Sequence, residues 1–155
     1  MKNSFLIATH RDYNTHAKIV VDQLESYGAL GDGEIIICSP FSIDDKRIKH
    51  VKDEKQLNGN TAFNDASRSS NGEFIYILCD DHHVPKEILK GGEFLNSLTF
   101  CKRKFKIASM SSGAPCHIGA IPNFPETSFI PSSVMCRFPF FTREMYTKHL
   151  NGYVF

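Results

Sequence analysis

Two adjacent carboxylates followed by two imidazoles, Asp80-Asp81-His82-His83, close an apolar run that begins at Phe74. From Phe74 to Leu78 that run is too uniformly apolar for a half-exposed strand, so it predicts one covered on both faces, as in a parallel α/β sheet. The carboxylates then fall at the strand's carboxyl end, where open α/β sheets bind ligands. Like charges on neighbouring residues repel by on the order of a few kcal/mol at an effective surface dielectric. A divalent cation or a cluster of hydrogen-bond donors would offset that repulsion. The competing reading is that Asp80-Asp81 simply caps the next helix.

The neighbouring chemistry is weaker. His82 and His83 are consecutive and point apart, and a tetrahedral zinc site would need three or four ligands. Cys79, beside two carboxylates, should have its thiol pKa raised, which argues against a thiolate nucleophile. Cys116-His117 has no third partner that the sequence can name. A different α/β nucleotide-binding enzyme, such as a nucleotidyltransferase, is disfavoured because no glycine-rich phosphate loop with a lysine is present.

The elements that must position these residues are legible in outline. Phe5 to Thr9 reads as a buried strand, and Asn14 or Thr15 can cap a helix in which Ala17, Val20, Val21 and Leu24 recur at helical spacing. Gly28, Gly31 and Gly33 end that helix, and Glu34 to Cys38 forms a second buried strand closed by Ser39-Pro40. The right-handed crossover rule makes the two strands parallel. The charged stretch from Ser42 to Gly59 reads as a surface connection with one short edge strand near Val51. Asn60 to Ser69 reads as a helix, stopped by Ser70-Asn71-Gly72 before the Asp-Asp strand. Past Pro85 a helix-like segment is interrupted at Gly91-Gly92, the basic stretch around Lys102, Arg103, Lys104 and Lys106 reads as solvated surface, and a strand is expected over Lys106 to Met110. Ser111 to Pro131 holds four of the seven prolines and reads as a long loop. The aromatic tail, with Phe138, Phe140, Phe141, Tyr146, Tyr153 and Phe155, reads chiefly as core, and Thr142 to Leu150 as a final helix capped at Thr142.

Composition narrows the classes. At 155 residues the chain suits one domain that buries roughly 70% of its unfolded surface. Lys+Arg 18 against Asp+Glu 17 leaves a net charge of +1, which removes the electrostatic case for a nucleic-acid partner, so phosphate binding must be local. The 5 cysteines form no Cys-x-x-Cys pair, so the expected compartment is a reducing cytoplasm, with peripheral membrane association as the other option. The start has no small-residue cleavage site, and no apolar run reaches the roughly 20 residues that span a bilayer.

The order of these features resembles the nucleotide-binding half of a GT-A glycosyltransferase, nearest to family 2, the inverting transferases that use nucleotide-diphospho-sugar donors. The segment Ile7 to Asn14, IATHRDYN, is similar to the family's opening P-T-x-N-R turn. Glu34 to Asp45, EIIICSPFSIDD, resembles its E-I-I-V-V-D-D-G-S-x-D segment. Asn60 to Asp81 resembles the A-R-N helix followed by the strand that ends in D-D-D, with Val84-Pro85 and Leu89 continuing the likeness. Arg137 to Phe155 resembles the late strand and helix that end in G-G-F. The resemblance runs over nearly the whole chain, and its best part is Asn64 to Pro85.

The resemblance implies a three-layer α/β/α sandwich, a Rossmann-like GT-A fold with a mostly parallel central sheet and a late antiparallel element. It implies a single domain over 1–155, with 1–90 the nucleotide-binding half and 91–155 part of an acceptor half. Asp81 would contact Mn²⁺ or Mg²⁺, and Asp80 would orient sugar or ribose hydroxyls. Thr9, Arg11, Ser39 and Asn64 would bind the nucleotide sugar. Three positions depart from the pattern: Cys79 stands where the D-x-D motif begins, Ser39 where an Asp commonly holds the nucleoside, and Phe63 where an Arg precedes Asn64. The chain also ends just before the family's acidic catalytic base, which suggests truncation. The expected function is binding of a nucleotide-diphospho-sugar through a divalent cation, with inverting hexosyl transfer to a sugar, lipid or protein acceptor if active. The alternative is a non-catalytic or truncated binding or interaction domain. An exposed remnant of the aromatic tail would favour self-association.

Overall fold

A computed structural model describes residues 2–56, 58–81, 83–93, 107–111, 114–116, 138–148 and 150–153, with 107–111, 114–116, 138–139 and 145 described by backbone alone. Seven strands form one sheet: β1 (Asn3–Ala8), β2 (Gly33–Ser39), β3 (Ile48–Lys52), β4 (Phe74–Cys79), β5 (Ile107–Ser111), β6 (Ala114–Cys116) and β7 (Phe138–Thr142). Their order across the sheet is β3-β2-β1-β4-β7-β5-β6. The first four are mutually parallel, as the crossover rule requires, and β7, β5 and β6 add antiparallel pairings beyond β4. Part of the expected proline-rich loop is therefore strand, at Ala114–Cys116.

Alternation along β1, β2 and β4 divides the core between the two faces of the sheet. Phe5, Ile7, Ile35, Ile37, Phe74, Tyr76 and Leu78 face α1 (Ala17–Ser26), meeting its Ala17, Val20, Val21 and Leu24. Leu6, Ile36, Cys38, Ile75 and Ile77 face the other way, onto Ala62 and Ala66 of α2 (Gly59–Arg68) and Tyr146 of α3 (Arg143–Lys148). The three layers follow directly. Three stacked rings tie the parallel and antiparallel parts together: Phe5 and Tyr76 lie 4.8 Å apart between centroids, and Tyr76 and Phe140 5.3 Å. Gly91 and Gly92 approach so closely that an added Cβ would lie 2.8 Å from the Tyr76 ring and 2.6 Å from the Phe74 ring. Gly92 N–H also donates to Tyr76 Oη at 2.9 Å. The glycine pair thus marks a close crossing over β4, and the expected helix before it is a 3-10 turn, Lys86–Lys90.

Several boundaries shift for local reasons. Asn14 and Thr15 do not cap α1. Asp12 Oδ1 instead accepts from Thr15 N–H at 3.1 Å, and Tyr13 C=O from Lys18 N–H at 2.9 Å, so a turn precedes the helix. Asn58 caps α2, its Oδ1 accepting from Thr61 N–H at 3.0 Å. The polar middle is less exposed than its charges suggest. Arg47 reaches Asp45, Asp22 and Glu25 within 2.7 Å and so pins the β2–β3 connection to α1. The Arg47 guanidinium holds the Asp45 carboxyl far below the usual range. Of the aromatic tail, Phe140, Phe141 and Tyr146 are buried as expected, whereas Tyr153 is 57% exposed. Phe138, described by backbone alone, forms part of β7, and Phe155 lies outside the described residues, as do the basic stretch over 102–106, His82 and His117.

Candidate functional site

Sheet register brings the candidate residues together. The chain runs outward from β1 through β2 to β3 and then returns to β4 on the other side of β1, so the strand order reverses between β1 and β4. Ala8 pairs with Cys79 on one side and with Cys38 on the other. One residue further on, Thr9 must therefore stand between Asp80 and Ser39. Thr9 and Asp80 also continue the alternation of the sheet face that α1 covers.

The contacts follow that placement. Thr9, 2% exposed, donates its hydroxyl to Asp80 Oδ2 at 2.5 Å and accepts from Arg11 N–H at 3.2 Å. Arg11 Nη1 reaches Asp81 Oδ2 at 3.1 Å. Four of the sequence-derived residues, Thr9, Arg11, Asp80 and Asp81, thus form one connected group. Ser39 sits one strand over and is 1% exposed, with its Oγ accepting from Phe41 N–H at 3.2 Å. Asn64 stands half-buried on α2, and its carbonyl accepts from the Ser67 hydroxyl at 2.9 Å.

Two further features went unread in the sequence. Asp53, placed there in a surface connection, is fully buried at the end of β3. Its N–H donates to Ser39 C=O at 3.0 Å, and its Oδ1 accepts from Gln56 N–H at 2.9 Å. Its Oδ2 receives no aligned hydrogen bond, although His10 Nε2 approaches to 2.8 Å as an ion-pair contact. The second feature is a cavity of about 280 Å³ between the start of α1 and the carboxylates, lined by His16, Ile19, Gln23, Asp80, Asp81 and His83 among others. Alternating apolar and polar positions along one helix could have announced the Ile19 and Gln23 side of it, but not what stands opposite. A neighbouring hollow of about 400 Å³ between Asp12–Asn14 and Phe41–Asp44 includes Phe41, which is 55% exposed.

Electrostatics agree with the expectation for Cys79. Burial first, then the charges of Asp81 and Asp80, raise its thiol pKa, so it is not a poised nucleophile. Among the described residues no group of three or more His, Cys, Asp or Glu side chains could hold a metal by itself. A hard cation of the Mg²⁺ or Mn²⁺ type does not need such a group, because one or two carboxylates, waters and substrate phosphates complete its shell. The Asp80-Asp81 oxygens suit it chemically, and the Arg11 guanidinium already stands beside Asp81 as a positive charge. Among the described residues no helix is long and apolar enough to cross a membrane.

No family profile and no curated protein matches the sequence. Solved structures do match the fold. A mannosyltransferase, PcManGT from Pyrobaculum calidifontis, in complex with GDP-Man and Mn²⁺, superposes with a TM-score of 0.56 at 12% identity, over 95% of this chain and 46% of its own. Residues 1–349 of S. aureus TarS in complex with UDP-GlcNAc give a TM-score of 0.54 at 16% identity, over 70% of this chain and 34% of that 1–349 region. The UDP complex of the same TarS region also gives 0.54 at 16% identity. The chain therefore spans between a third and a half of the length of the proteins whose fold it shares.

Proposed function

On a GT-A glycosyltransferase-like fold, we propose that this chain binds a nucleotide-diphospho-sugar donor through a divalent cation held by Asp81. The observation that carries the reading is the linked group at the strand-order reversal, Thr9–Asp80 and Arg11–Asp81, which joins the carboxyl ends of β1 and β4. The neighbours' complexes with UDP-GlcNAc, UDP and GDP-Man with Mn²⁺ support it by likeness.

In this reading Thr9 holds Asp80 in one orientation, so that its remaining oxygen meets sugar or ribose hydroxyls. A divalent cation at Asp81 would supply charge stabilisation as the nucleoside diphosphate leaves. With a cation held at Asp81, the Arg11 guanidinium beside it would face the anionic donor. Ser39 would face the base and ribose, and Asn64 would contact the nucleotide sugar. If the site is active, transfer inverts the anomeric carbon by direct displacement. The acceptor and its base would come from the acceptor half, to which residues 91–155 contribute.

Titration calorimetry with UDP, GDP and other nucleoside diphosphates, first with Mn²⁺ and then with chelator, tests this. Binding that needs both the metal and Asp81, and so is lost in Asp81→Ala, is the expected result. Absence of binding to every nucleotide in the panel would overturn the proposal.

A further inference from the structure

The segment after the carboxylates is clamped by α1 in a way that defines the chemistry of one histidine. Tyr27 Oη donates to Val84 C=O at 3.0 Å, and Val84 N–H donates to Gln23 Oε1 at 2.9 Å. With its oxygen taken up by that amide, Gln23 must present its NH₂ group to the other neighbour, His83 Nδ1, at 3.0 Å. An amide nitrogen can only donate, so His83 Nδ1 is the acceptor. The neutral imidazole then carries its proton on Nε2. The ring nitrogen left for a ligand is a donor rather than a base.

That donor belongs to a side chain lining the same cavity as Asp80 and Asp81. The two carboxylates share the cavity wall with Ile19 and Val20, and its other polar lining residues include Thr15 and His16. A neutral N–H beside them suits an anionic oxygen brought in with a cation, and it does not compete for the cation as a third carboxylate would. We infer that His83, held in its Nε2–H form by Gln23, hydrogen-bonds a phosphate oxygen of the nucleoside diphosphate bound at Asp80-Asp81. The role rests on the donor-site reading above. His83 keeps its proton throughout, and Gln23 is a positioning residue that acts through it.

The test uses the full chain with UDP and GDP, each with Mn²⁺, and ¹⁵N NMR of the metal-free protein to read the His83 tautomer. His83→Phe should weaken the bound nucleotide roughly ten- to a hundredfold, the size of a lost hydrogen bond to a charged group. His83→Gln, whose amide nitrogen can reach the place of Nε2, should bind within about threefold of the native chain, a factor well inside one such bond. The side chain is exposed, so both variants should unfold at the native temperature. The NMR spectrum should show protonated Nε2 and bare Nδ1. A protonated Nδ1 with bare Nε2, or native affinity in His83→Phe, would overturn this inference and leave the donor-site reading standing. No nucleotide binding by the native chain would overturn both.

Discussion

Thr9→Val is the sharpest probe of the link between β1 and β4, because it keeps the side-chain shape and removes one hydroxyl. That hydroxyl makes two hydrogen bonds, one donated to Asp80 Oδ2 and one accepted from Arg11 N–H. A hydrogen bond to a carboxylate contributes about 1.5–3 kcal/mol. Asp80 is half-buried and water can reach it in the variant, so the loss falls near the lower end. Arg11 is exposed, and its N–H finds water at small cost. The extra buried methyl of valine returns up to about 0.8 kcal/mol. The net destabilisation is about 1–2 kcal/mol, which for a chain of this size lowers the unfolding temperature by roughly 3–6 °C. Asp80 also loses its fixed orientation, and affinity for the nucleotide that the native chain binds should fall about tenfold, equivalent to about 1.4 kcal/mol. Thr9→Ser keeps the hydroxyl and should resemble the native chain in both assays. Calorimetric unfolding and nucleotide titration measure the two effects. A Thr9→Val melting point within about 1 °C of native, or a Thr9→Ser as impaired as Thr9→Val, would refute the role given to the hydroxyl.

Two further outcomes follow from charges outside that link. Asp45 is depressed below its ordinary value of 3.8, chiefly by the Arg47 hydrogen bonds, so the unfolded chain binds its proton first. Its stabilisation is complete above about pH 4 and is lost as the pH falls through the depressed folded value, so acid titrations of stability should flatten in Asp45→Asn; an unchanged pH slope in that variant would contradict the network. Cys79, raised above the usual thiol value of 9.0, should alkylate slowly at neutral pH compared with an unfolded-chain thiol, and rapid labelling of Cys79 by mass spectrometry would show that its environment is wrongly described.

The strands were readable because a chain buried on both faces leaves a local mark: Phe5 to Ile7, Ile35 to Cys38 and Phe74 to Leu78 are apolar without interruption. The helix α2 was placed within a residue, the edge strand β3 falls near Val51 as expected, and the resemblance anticipated a late antiparallel element, whereas Ala114–Cys116 lies in the stretch that reads as loop. Misplaced caps at α1 came from Asp12, whose side chain draws the backbone into a turn that helical periodicity does not register. Asp45, Arg47 and Asp53 were read as surface because a charge reveals nothing about its partner, and each has a partner far away in sequence: Tyr13 for Asp45, Asp22 and Glu25 for Arg47, and His10 for Asp53. Gln23 looked like one more polar position on an amphipathic helix.

The amino-acid sequence alone determined that Phe5–Ile7, Ile35–Cys38 and Phe74–Leu78 lie in buried strands, which face of α1 is apolar, and that two carboxylates end a buried strand. Those properties depend on spacing within a few residues, which the chain carries with it. Only the tertiary structure decided that Thr9 meets Asp80 across 71 positions of sequence, that Arg11 meets Asp81, and that Gln23 holds His83. Those contacts depend on which strand neighbours which and in what register, quantities that come from packing the whole sheet at once.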